Sequence, residues 1–271
     1  MTESTKQVET RHGLVQLFDR GEGSTILFLH CSEGLEASIP FLNRLAVRNR
    51  VIATAHPGFG RSELPTHFRE VGDLAYFYLD FLQAFELRNV VLAGVSFGAW
   101  IAAEIAVRCT ACLSRLVLID SLGIRVSTIE TDVEIQDVFT LPQDEIDRMS
   151  FVTPSKWRRG YDSYSDDELF VLARNREALS LYAWSPYMHN PSLRHWLHRI
   201  NVPTLVLWGA KDGIVSIDYG RAYAHAIEGA YFQLIPNAAH HPQIEQPEHL
   251  ARLVEDFIAT PAVQRVSGAV S

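Results

Sequence analysis

The sequence predicts an α/β fold, a mostly parallel central sheet with helices on both faces and a helical insertion. Two short runs, TILFLH at residues 25–30 and NVVLAGV at residues 89–95, are apolar almost throughout. Such runs are typical of strands that are buried on both faces. Stretches with helical spacing separate runs of this kind, and that alternation produces parallel strands joined by crossover helices. The length of 271 residues suits one large domain that carries an insertion.

The elements follow one another in a regular order. The chain opens with a predicted hairpin, in which residues 6–11 and 14–19 flank the turn His12-Gly13. Buried strands are then predicted at residues 25–30, 51–55, 89–95, 116–119, 203–208 and 231–235. Helices are predicted at residues 39–47, 71–85, 97–108, 217–227 and 247–258.

Residues 121–201 interrupt this alternation. They contain acidic clusters, prolines and short helical stretches, and no buried strand is evident among them. The interruption divides the chain into a core domain, residues 1–120 and 202–271, and an inserted segment, residues 121–201. The name "inserted segment" is used below for residues 121–201.

Composition narrows the class of function. The formal net charge of −8, from 24 basic and 32 acidic residues, argues against nucleic acid and anionic membranes as partners. No apolar run reaches the ~18 residues of a membrane span, and the polar N-terminus lacks the apolar centre of a signal peptide. Only three cysteines are present, which fits a reducing compartment. We therefore expect a cytoplasmic protein.

No cofactor or metal site is expected from the motifs. Cys109 and Cys112 form a CxxC pair, but no second pair of ligands lies at zinc spacing nearby, so we interpret them as packed thiols. Gly58 and Gly60 follow a predicted strand without completing the GxGxxG pattern of dinucleotide-binding proteins.

The strongest chemical motif is Gly94-Val95-Ser96-Phe97-Gly98, a GxSxG sequence. It lies directly after a predicted buried strand and directly before a predicted helix, which is the context of a nucleophilic serine on a sharp turn. The glycines remove bulk from the turn, and the N–H of Phe97 at the helix start can donate to an oxyanion. The structural alternative is a helix-capping serine between two packing glycines.

A serine nucleophile needs a base and an acid that orients the base. On such sheets the acid and then the histidine follow the serine along the chain, each after a later strand. Asp212 and His240 satisfy this order, and both follow predicted strands. His241 is an alternative base, and Asp120, at the end of another predicted strand, is an alternative acid.

Five stretches together resemble the α/β-hydrolase family. Leu29-His30-Cys31 resembles its His-Gly loop, residues 56–62 (HPGFGRS) its Pro-Gly-x-Gly-x-Ser turn, and residues 94–98 its nucleophile turn. Residues 208–212 (WGAKD) resemble the acid loop, and residues 240–248 (HHPQIEQPE) the segment that begins with the catalytic histidine. The resemblance spans about residues 8–258.

The resemblance implies roles for several residues. It selects His240 over His241 as the base and identifies residues 121–201 as a cap over the active site. It also implies that the loop after the first buried strand supplies the second oxyanion N–H, for which Ser32 is our first choice. Cys31 and Ala239 stand where the family commonly has glycine. We interpret Cys31 as a packing residue, with a second nucleophile as the alternative.

The substrate prediction is a small carbonyl compound, most directly a carboxylic ester or a lactone. An alternative is the cleavage of a carbon–carbon bond in a vinylogous diketone, as in the family's ring-fission-product hydrolases. Against it, the glycine-rich loop of those enzymes is absent, and His241 occupies the position of their tryptophan. A non-catalytic ligand-binding protein on the same fold is an alternative of another class. Candidate substrate-binding residues are His30, Cys31, Trp157, Arg174, Trp184 and Tyr187, and Arg176 is a second candidate cation.

Overall fold

The computed structural model describes residues 5–129, 132–157 and 160–261. Its centre is one sheet of eight strands in the order β1-β2-β4-β3-β5-β6-β7-β8. The strands are β1 (Lys6–Thr10), β2 (Gly13–Arg20), β3 (Ser24–Leu29), β4 (Asn49–Thr54), β5 (Val90–Val95), β6 (Leu113–Ile119), β7 (Thr204–Gly209) and β8 (Tyr231–Ile235). The predicted fold class is confirmed.

Strand direction changes only at one side of the sheet. β1 and β2 form the expected antiparallel hairpin, and β2 also pairs antiparallel with β4. All the other pairs are parallel; Ile26 of β3, for example, lies opposite Val51 of β4 and Val91 of β5. Because six neighbouring strands run the same way, their carboxyl ends meet at one edge, where α/β folds bind ligands.

The helices cover both faces of the sheet. They are α1 (Leu35–Leu45), α2 (Val71–Ala84), α3 (Phe97–Arg108), α4 (Gln143–Ser150), α5 (Pro154–Trp157), α6 (Asp166–Ala183), α7 (Leu193–Trp196), α8 (Ile217–His225), α9 (Pro242–Glu245) and α10 (Pro247–Ala259). None of the helices in the described ranges is both long enough and apolar enough to cross a membrane.

Alternating side chains of the central strands supply two separate cores. Leu27 of β3 packs in the cluster that also contains buried residues of α2, α3 and α8. Phe28, the next residue, points to the opposite face and packs with residues of α1 and α10. Burial on both faces is the physical reason why these strands read as continuous apolar runs.

Helix α1 begins four residues before its predicted start at Ile39. Gly34, with a φ of 90°, turns the chain so that Leu35 is already buried. Pro40 therefore lies inside the helix rather than in its first turn, where proline is ordinarily favoured.

The inserted segment lies between β6 and β7 and contains helices α4 to α7. It is bonded to the core at several points. Glu104 of α3, which is buried, accepts hydrogen bonds from Trp100 at 3.2 Å and from Asn190 of the inserted segment at 2.8 Å, and it pairs with Arg108. An isolated bridge also joins Ile135 to Val215 of the core.

Candidate active site

Three predicted site residues follow the carboxyl ends of three strands. Ser96 is the first residue after β5, Asp212 lies three residues after β7, and His240 lies five residues after β8. Because these strands are parallel, the three turns that follow them lie at the same edge of the sheet.

Ser96 occupies a strained turn between β5 and α3. Its φ of 54° and ψ of −116° are rare for a residue with a side chain. Two glycines make the turn possible. A Cβ on Gly94 would lie 2.4 Å from the carbonyl oxygen of Gly98, and a Cβ on Gly98 would lie 2.1 Å from that of Leu29. The helix can therefore start directly above the sheet, with Ser96 at its tip.

The side chains of Ser96, His240 and Asp212 form a continuous hydrogen-bonded chain. The Oγ of Ser96 lies 2.7 Å from the Nε2 of His240, and the Nδ1 of His240 lies 2.8 Å from the Oδ2 of Asp212. The other oxygen of Asp212 accepts the N–H groups of Ile214 at 2.8 Å and Val215 at 3.0 Å. The Asp212 side chain is fully buried, so its orientation is held on both sides.

His241, the alternative base, and Asp120, the alternative acid, make different contacts from His240 and Asp212. His241 packs against Phe151, with ring centroids 5.2 Å apart, while Ser96 contacts its neighbour His240. Asp120 is fully buried and accepts the N–H of Gly209 at 2.7 Å. Burial, reinforced by the negative charge of Asp212, raises the pKa of Asp120 well above its usual range. Asp212, and not Asp120, makes the hydrogen bond to His240.

A cavity of about 270 Å³ opens in front of Ser96. Ser32, Phe97, His240 and His241 contribute to its wall beside Ser96. Most of the remaining wall is apolar and comes from the inserted segment. Those apolar residues of the inserted segment are Leu122, Ile135, Val138, Phe139, Leu141, Ile146, Leu172, Leu179 and Met188. The polar wall residues from the inserted segment are Gln143, Ser150 and Arg176.

Ser32 and Phe97, the residues predicted to donate to an oxyanion, both lie at the wall of the cavity that contains Ser96. Both residues line the cavity, and within residues 5–129, 132–157 and 160–261 no protein acceptor takes either N–H. The loop that carries Ser32 is a tight turn, because Gly34 donates its N–H to the carbonyl of Cys31 at 3.1 Å. This turn holds Ser32 at the cavity wall.

Asn175 of α6 fixes this loop from the other side. Its Nδ2 donates to the carbonyl of Glu33 at 3.2 Å, and its Oδ1 accepts the N–H of Gly60 at 2.9 Å. A Cβ on Gly34 would lie 2.3 Å from the Nδ2, so the loop and the helix touch closely. Asn175 is a buried polar residue between two arginines, and no motif in the sequence indicates this role.

His30 and Cys31, the first two candidates for contact with the substrate, are fully buried and are not among the residues that line the cavity. His30 is fully buried and stacks on His56 with ring centroids 3.7 Å apart. Its Nδ1 donates to the carbonyl of Cys31 at 2.6 Å, and its Nε2 accepts the N–H of His56 at 3.0 Å. Burial lowers the pKa of His30 to about 4, so the ring is neutral and holds two loops together. Cys31 is fully buried in the apolar core, as its interpretation as a packing residue predicts.

Arg174 also differs from its expected placement. Its Nη2 donates to the carbonyls of Gly58 and Ser62, both at 3.1 Å, so the guanidinium holds a core loop instead of facing Ser96. Arg176, two residues further along α6, reaches the cavity and donates to Gln143 and to the hydroxyl of Tyr161.

The three aromatic candidates do not line the Ser96 cavity either. The hydroxyl of Tyr187 donates to the carbonyl of Gln136 at 2.5 Å and accepts the N–H of Val138 at 2.9 Å. Trp184 is 57% exposed and belongs to a surface groove with Arg174. Trp157 lines a neighbouring pocket that shares Glu33 and Leu172 with the Ser96 cavity.

Across the described ranges, no group of three or more His, Cys, Asp and Glu residues is arranged to hold a metal ion. The polar side chains joined to Ser96 by hydrogen bonds are those of His240 and, through it, Asp212.

Comparison with known proteins identifies related hydrolases. A 2-hydroxymuconate semialdehyde hydrolase from Pseudomonas sp. (strain CF600) is 28% identical and aligns over 93% of this chain and 92% of its own. A meta-cleavage product hydrolase from Pseudomonas fluorescens IP01 superposes with a TM-score of 0.73 at 22% identity, covering 93% of this chain and 97% of that one. An esterase from Thermogutta terrifontis gives a TM-score of 0.73 at 22% identity, covering 94% and 97%.

The family match agrees with the fold and with these relatives. The sequence model described as "Alpha/beta hydrolase family" matches residues 26–253, which contain most of β3, all of β4 to β8 and all three side chains of the hydrogen-bonded chain. The chain belongs to the alpha/beta hydrolase family and is a hydrolase.

Proposed function

We propose that the protein is a serine hydrolase in which Ser96 is the nucleophile, His240 the base and Asp212 the acid that orients the base. The observation that carries the proposal is the chain of contacts from Ser96 to His240 at 2.7 Å and from His240 to Asp212 at 2.8 Å. This chain ends on a cavity, so a bound carbonyl group has access to the serine hydroxyl.

The proposed reaction begins with transfer of the Ser96 proton to the Nε2 of His240. The Oγ attacks the substrate carbonyl, and the leaving group departs after it takes the proton from His240. A water molecule, deprotonated by His240, then hydrolyses the acyl-enzyme and restores the serine. Asp212 accepts the Nδ1–H throughout, which fixes the tautomer and stabilises the imidazolium.

We assign the oxyanion hole to the N–H groups of Phe97 and Ser32. Phe97 begins α3, whose N-terminal end favours negative charge. The positions of both residues at the cavity wall support the assignment. Loss of one such donor typically reduces kcat by about 10²- to 10³-fold.

The proposed substrate is a small carboxylic ester or lactone with an apolar acyl group. Nine apolar residues of the inserted segment and a volume of about 270 Å³ favour a compact hydrocarbon part. Burial of each methylene group contributes about 0.8 kcal/mol, so such a wall selects for apolar acyl chains.

We propose that the inserted segment is a cap that closes the active site. It provides most of the cavity wall, and Ser150 at the end of α4 accepts the N–H of His240 at 3.1 Å. A wall built in this way keeps water away from the reacting carbonyl until hydrolysis, and it places substrate selectivity outside the core domain.

A second candidate function is the hydrolysis of a carbon–carbon bond in a vinylogous diketone. It is supported by Arg176, a cation at the cavity wall that suits a substrate carboxylate, and by the similarity to a 2-hydroxymuconate semialdehyde hydrolase. The ester or lactone remains our first proposal because His241 occupies a wall position beside Ser96 and brings a polar ring there.

A substrate panel tests the proposal. Nitrophenyl esters, lactones and one vinylogous diketone that carries a carboxylate would be compared for the natural protein and the Ser96→Ala variant. Turnover of esters or lactones that disappears in the variant supports the first candidate. Turnover of the diketone alone supports the second candidate. Ester or lactone turnover that survives in the variant contradicts the role of Ser96.

A further inference from the structure

Asp120 is a buried carboxyl group that the proposed mechanism does not use. It follows β6 directly and has a φ of 45°, a conformation that few non-glycine residues adopt. Its backbone N–H donates to the carbonyl of Leu207, and its Oδ1 accepts the N–H of Gly209 at 2.7 Å. The side chain therefore lies under the start of the loop that carries Asp212.

The other oxygen of Asp120 has no hydrogen-bond donor. Its Oδ2 is buried without a partner among the described residues, and the residue is 0% exposed. The ionisable groups that act on it are the carboxyl groups of Asp212 and Glu245. Two ionised carboxylates cannot hydrogen-bond to each other, because both only accept.

The carboxyl groups of Asp120, Asp212 and Glu245 are neighbours, but they accept different numbers of hydrogen bonds. Asp212 accepts two N–H groups and the ring of His240. Glu245 accepts the N–H groups of Ala239 at 2.7 Å and Val152 at 2.8 Å, with Lys156 nearby. From the residues that the structure describes, Asp120 accepts a single N–H, that of Gly209. A fully buried carboxylate with so little compensation takes up a proton instead of remaining charged.

We propose that Asp120 carries a proton in the working enzyme and that its Oδ2–H donates to the carboxylate of Asp212. In this arrangement Asp120 is a positioning residue that joins Gly209 to Asp212 across the acid loop. The role in turnover rests on the proposed function, in which Asp212 orients His240.

The effects that shift the pKa of Asp120 agree with its assignment as a protonated carboxyl group. Burial is the largest effect that raises the pKa of Asp120, and the negative charge of Asp212 raises it further. The Gly209 N–H acts in the opposite direction. Asp212 has room for the extra bond, because a carboxylate accepts about four hydrogen bonds and three are accounted for.

The proton itself is tested by infrared spectroscopy at neutral pH. The difference spectrum between the natural protein and Asp120→Asn should contain the C=O stretch of a protonated carboxyl group. Asp144→Asn is the matched control, because Asp144 is exposed and paired with Arg148, and its difference spectrum should contain no such band. A missing band for Asp120→Asn would overturn the proposal. This readout needs no turnover, so it is independent of the proposed function.

The positioning role is tested by comparing Asp120→Asn with Asp120→Leu on an ester substrate. The amide of asparagine keeps one acceptor for Gly209 and one donor for Asp212, so kcat should stay within about threefold. Leucine offers neither group, and kcat should fall by about ten- to a hundredfold, the range expected for one lost hydrogen bond to a charged group, while KM changes little.

The activities of the Asp120→Asn and Asp120→Leu variants show whether the proposal holds. Equal losses in both variants would mean that the ionised carboxylate is needed, and an active leucine variant would mean that Asp120 has no positioning role; either overturns the proposal. Circular dichroism and thermal unfolding establish that the variants fold. If the leucine variant does not fold, the infrared band and the activity of Asp120→Asn decide the matter.

Discussion

The backbone N–H of His240 donates a hydrogen bond to the carbonyl of Ser150, with an N···O distance of 3.1 Å. Ser150 is the last residue of α4, so the inserted segment directly supports the proposed base. Next to it, the carbonyl of Met149 accepts the N–H of Gly213 in the acid loop at 3.0 Å. The inserted segment therefore supports both loops that position Ser96's partners, besides forming the wall of the cavity.

The proposed base is tested by substitutions at two adjacent histidines. Ser96→Ala and His240→Ala should each reduce kcat by more than about 10³-fold, because the two side chains act as one unit. His241→Ala should cost less than about tenfold, since the serine hydroxyl bonds to His240 while the His241 ring packs against Phe151. Steady-state kinetics on one ester measures all three. A loss from His241→Ala as large as that from His240→Ala would contradict the assignment.

The acid is tested by Asp212→Asn. The amide can present its N–H to the Nδ1 of His240, which favours the wrong tautomer, and kcat should fall by about 10⁴-fold, the effect seen for this change in serine proteases. The comparison is Asp120→Asn, for which we expect most of kcat to remain. The reverse order of losses would move the orienting acid from the loop after β7 to the end of β6.

Arg176 should recognise a negative charge on the substrate. Arg176→Gln should raise KM for a carboxylate-bearing substrate by about fivefold, which corresponds to the ~1 kcal/mol of an exposed ion pair. KM for a neutral ester should not change. Arg174→Gln is the matched control on the same helix; it removes bonds to Gly58 and Ser62, so it should lower thermal stability without discriminating between charged and neutral substrates. An equal effect of Arg176→Gln on both substrates would contradict the charge role.

The apolar wall should set the acyl preference. With straight-chain esters, kcat/KM should rise by about fourfold for each added methylene group until the cavity is full. Leu179→Trp fills part of the cavity and should shift the optimum to shorter chains. Phe170→Trp, at a position of the same helix that is 53% exposed, should leave the optimum in place. An unchanged optimum in Leu179→Trp would mean that the acyl group binds elsewhere.

His30 and His56 should remain neutral at pH values where ordinary histidines are protonated. Burial lowers the pKa of His30 to about 4 and lowers that of His56 as well. The stability that each neutral, buried ring contributes to the folded protein is fully present above pH ~6.5, the pKa of a histidine in the unfolded chain. This stability is lost as the pH falls towards the folded pKa, by up to about 1.4 kcal/mol per pH unit for each ring. Nitrogen-15 NMR between pH 8 and 5 should find two rings that do not titrate; titration of both near pH 6.5 would contradict the network.

Ser96, Asp212 and His240 could be predicted because each follows a recognisable local sequence pattern. Ser96 lies between two glycines at a strand–helix junction, and Asp212 and His240 each follow an apolar strand. Parallel strands place these turns at one edge whatever the rest of the chain does. The sequence therefore predicts both the fold class and the residues that meet there.

The choice between Arg174 and Arg176 could not be made from the sequence. Residues two apart on a helix point in nearly opposite directions, so the rotation of α6 decides which arginine reaches the cavity. The buried stripe of α6 begins at Asn175 and continues through Ala178 and Leu179. Because its first residue is polar, the apolar pattern did not reveal the orientation.

The cavity wall was unpredictable for a related reason. Phe139 and Leu141 lie in the inserted segment outside any strand, and a loop residue faces the cavity or the solvent according to tertiary contacts. His30 was expected to contact the substrate because it lies in the stretch that resembles the His-Gly loop. Its two ring nitrogens are in fact committed to Cys31 and His56.

Labelling with a fluorophosphonate tests whether Ser96 is an activated nucleophile. The probe reacts with a serine only when a base and an oxyanion hole activate it, so it reports the assembled site and not the fold alone. We expect mass spectrometry of the folded protein to find one modified residue, Ser96. The His240→Ala variant should lose this label. A folded protein that shows no label on Ser96 would contradict the account.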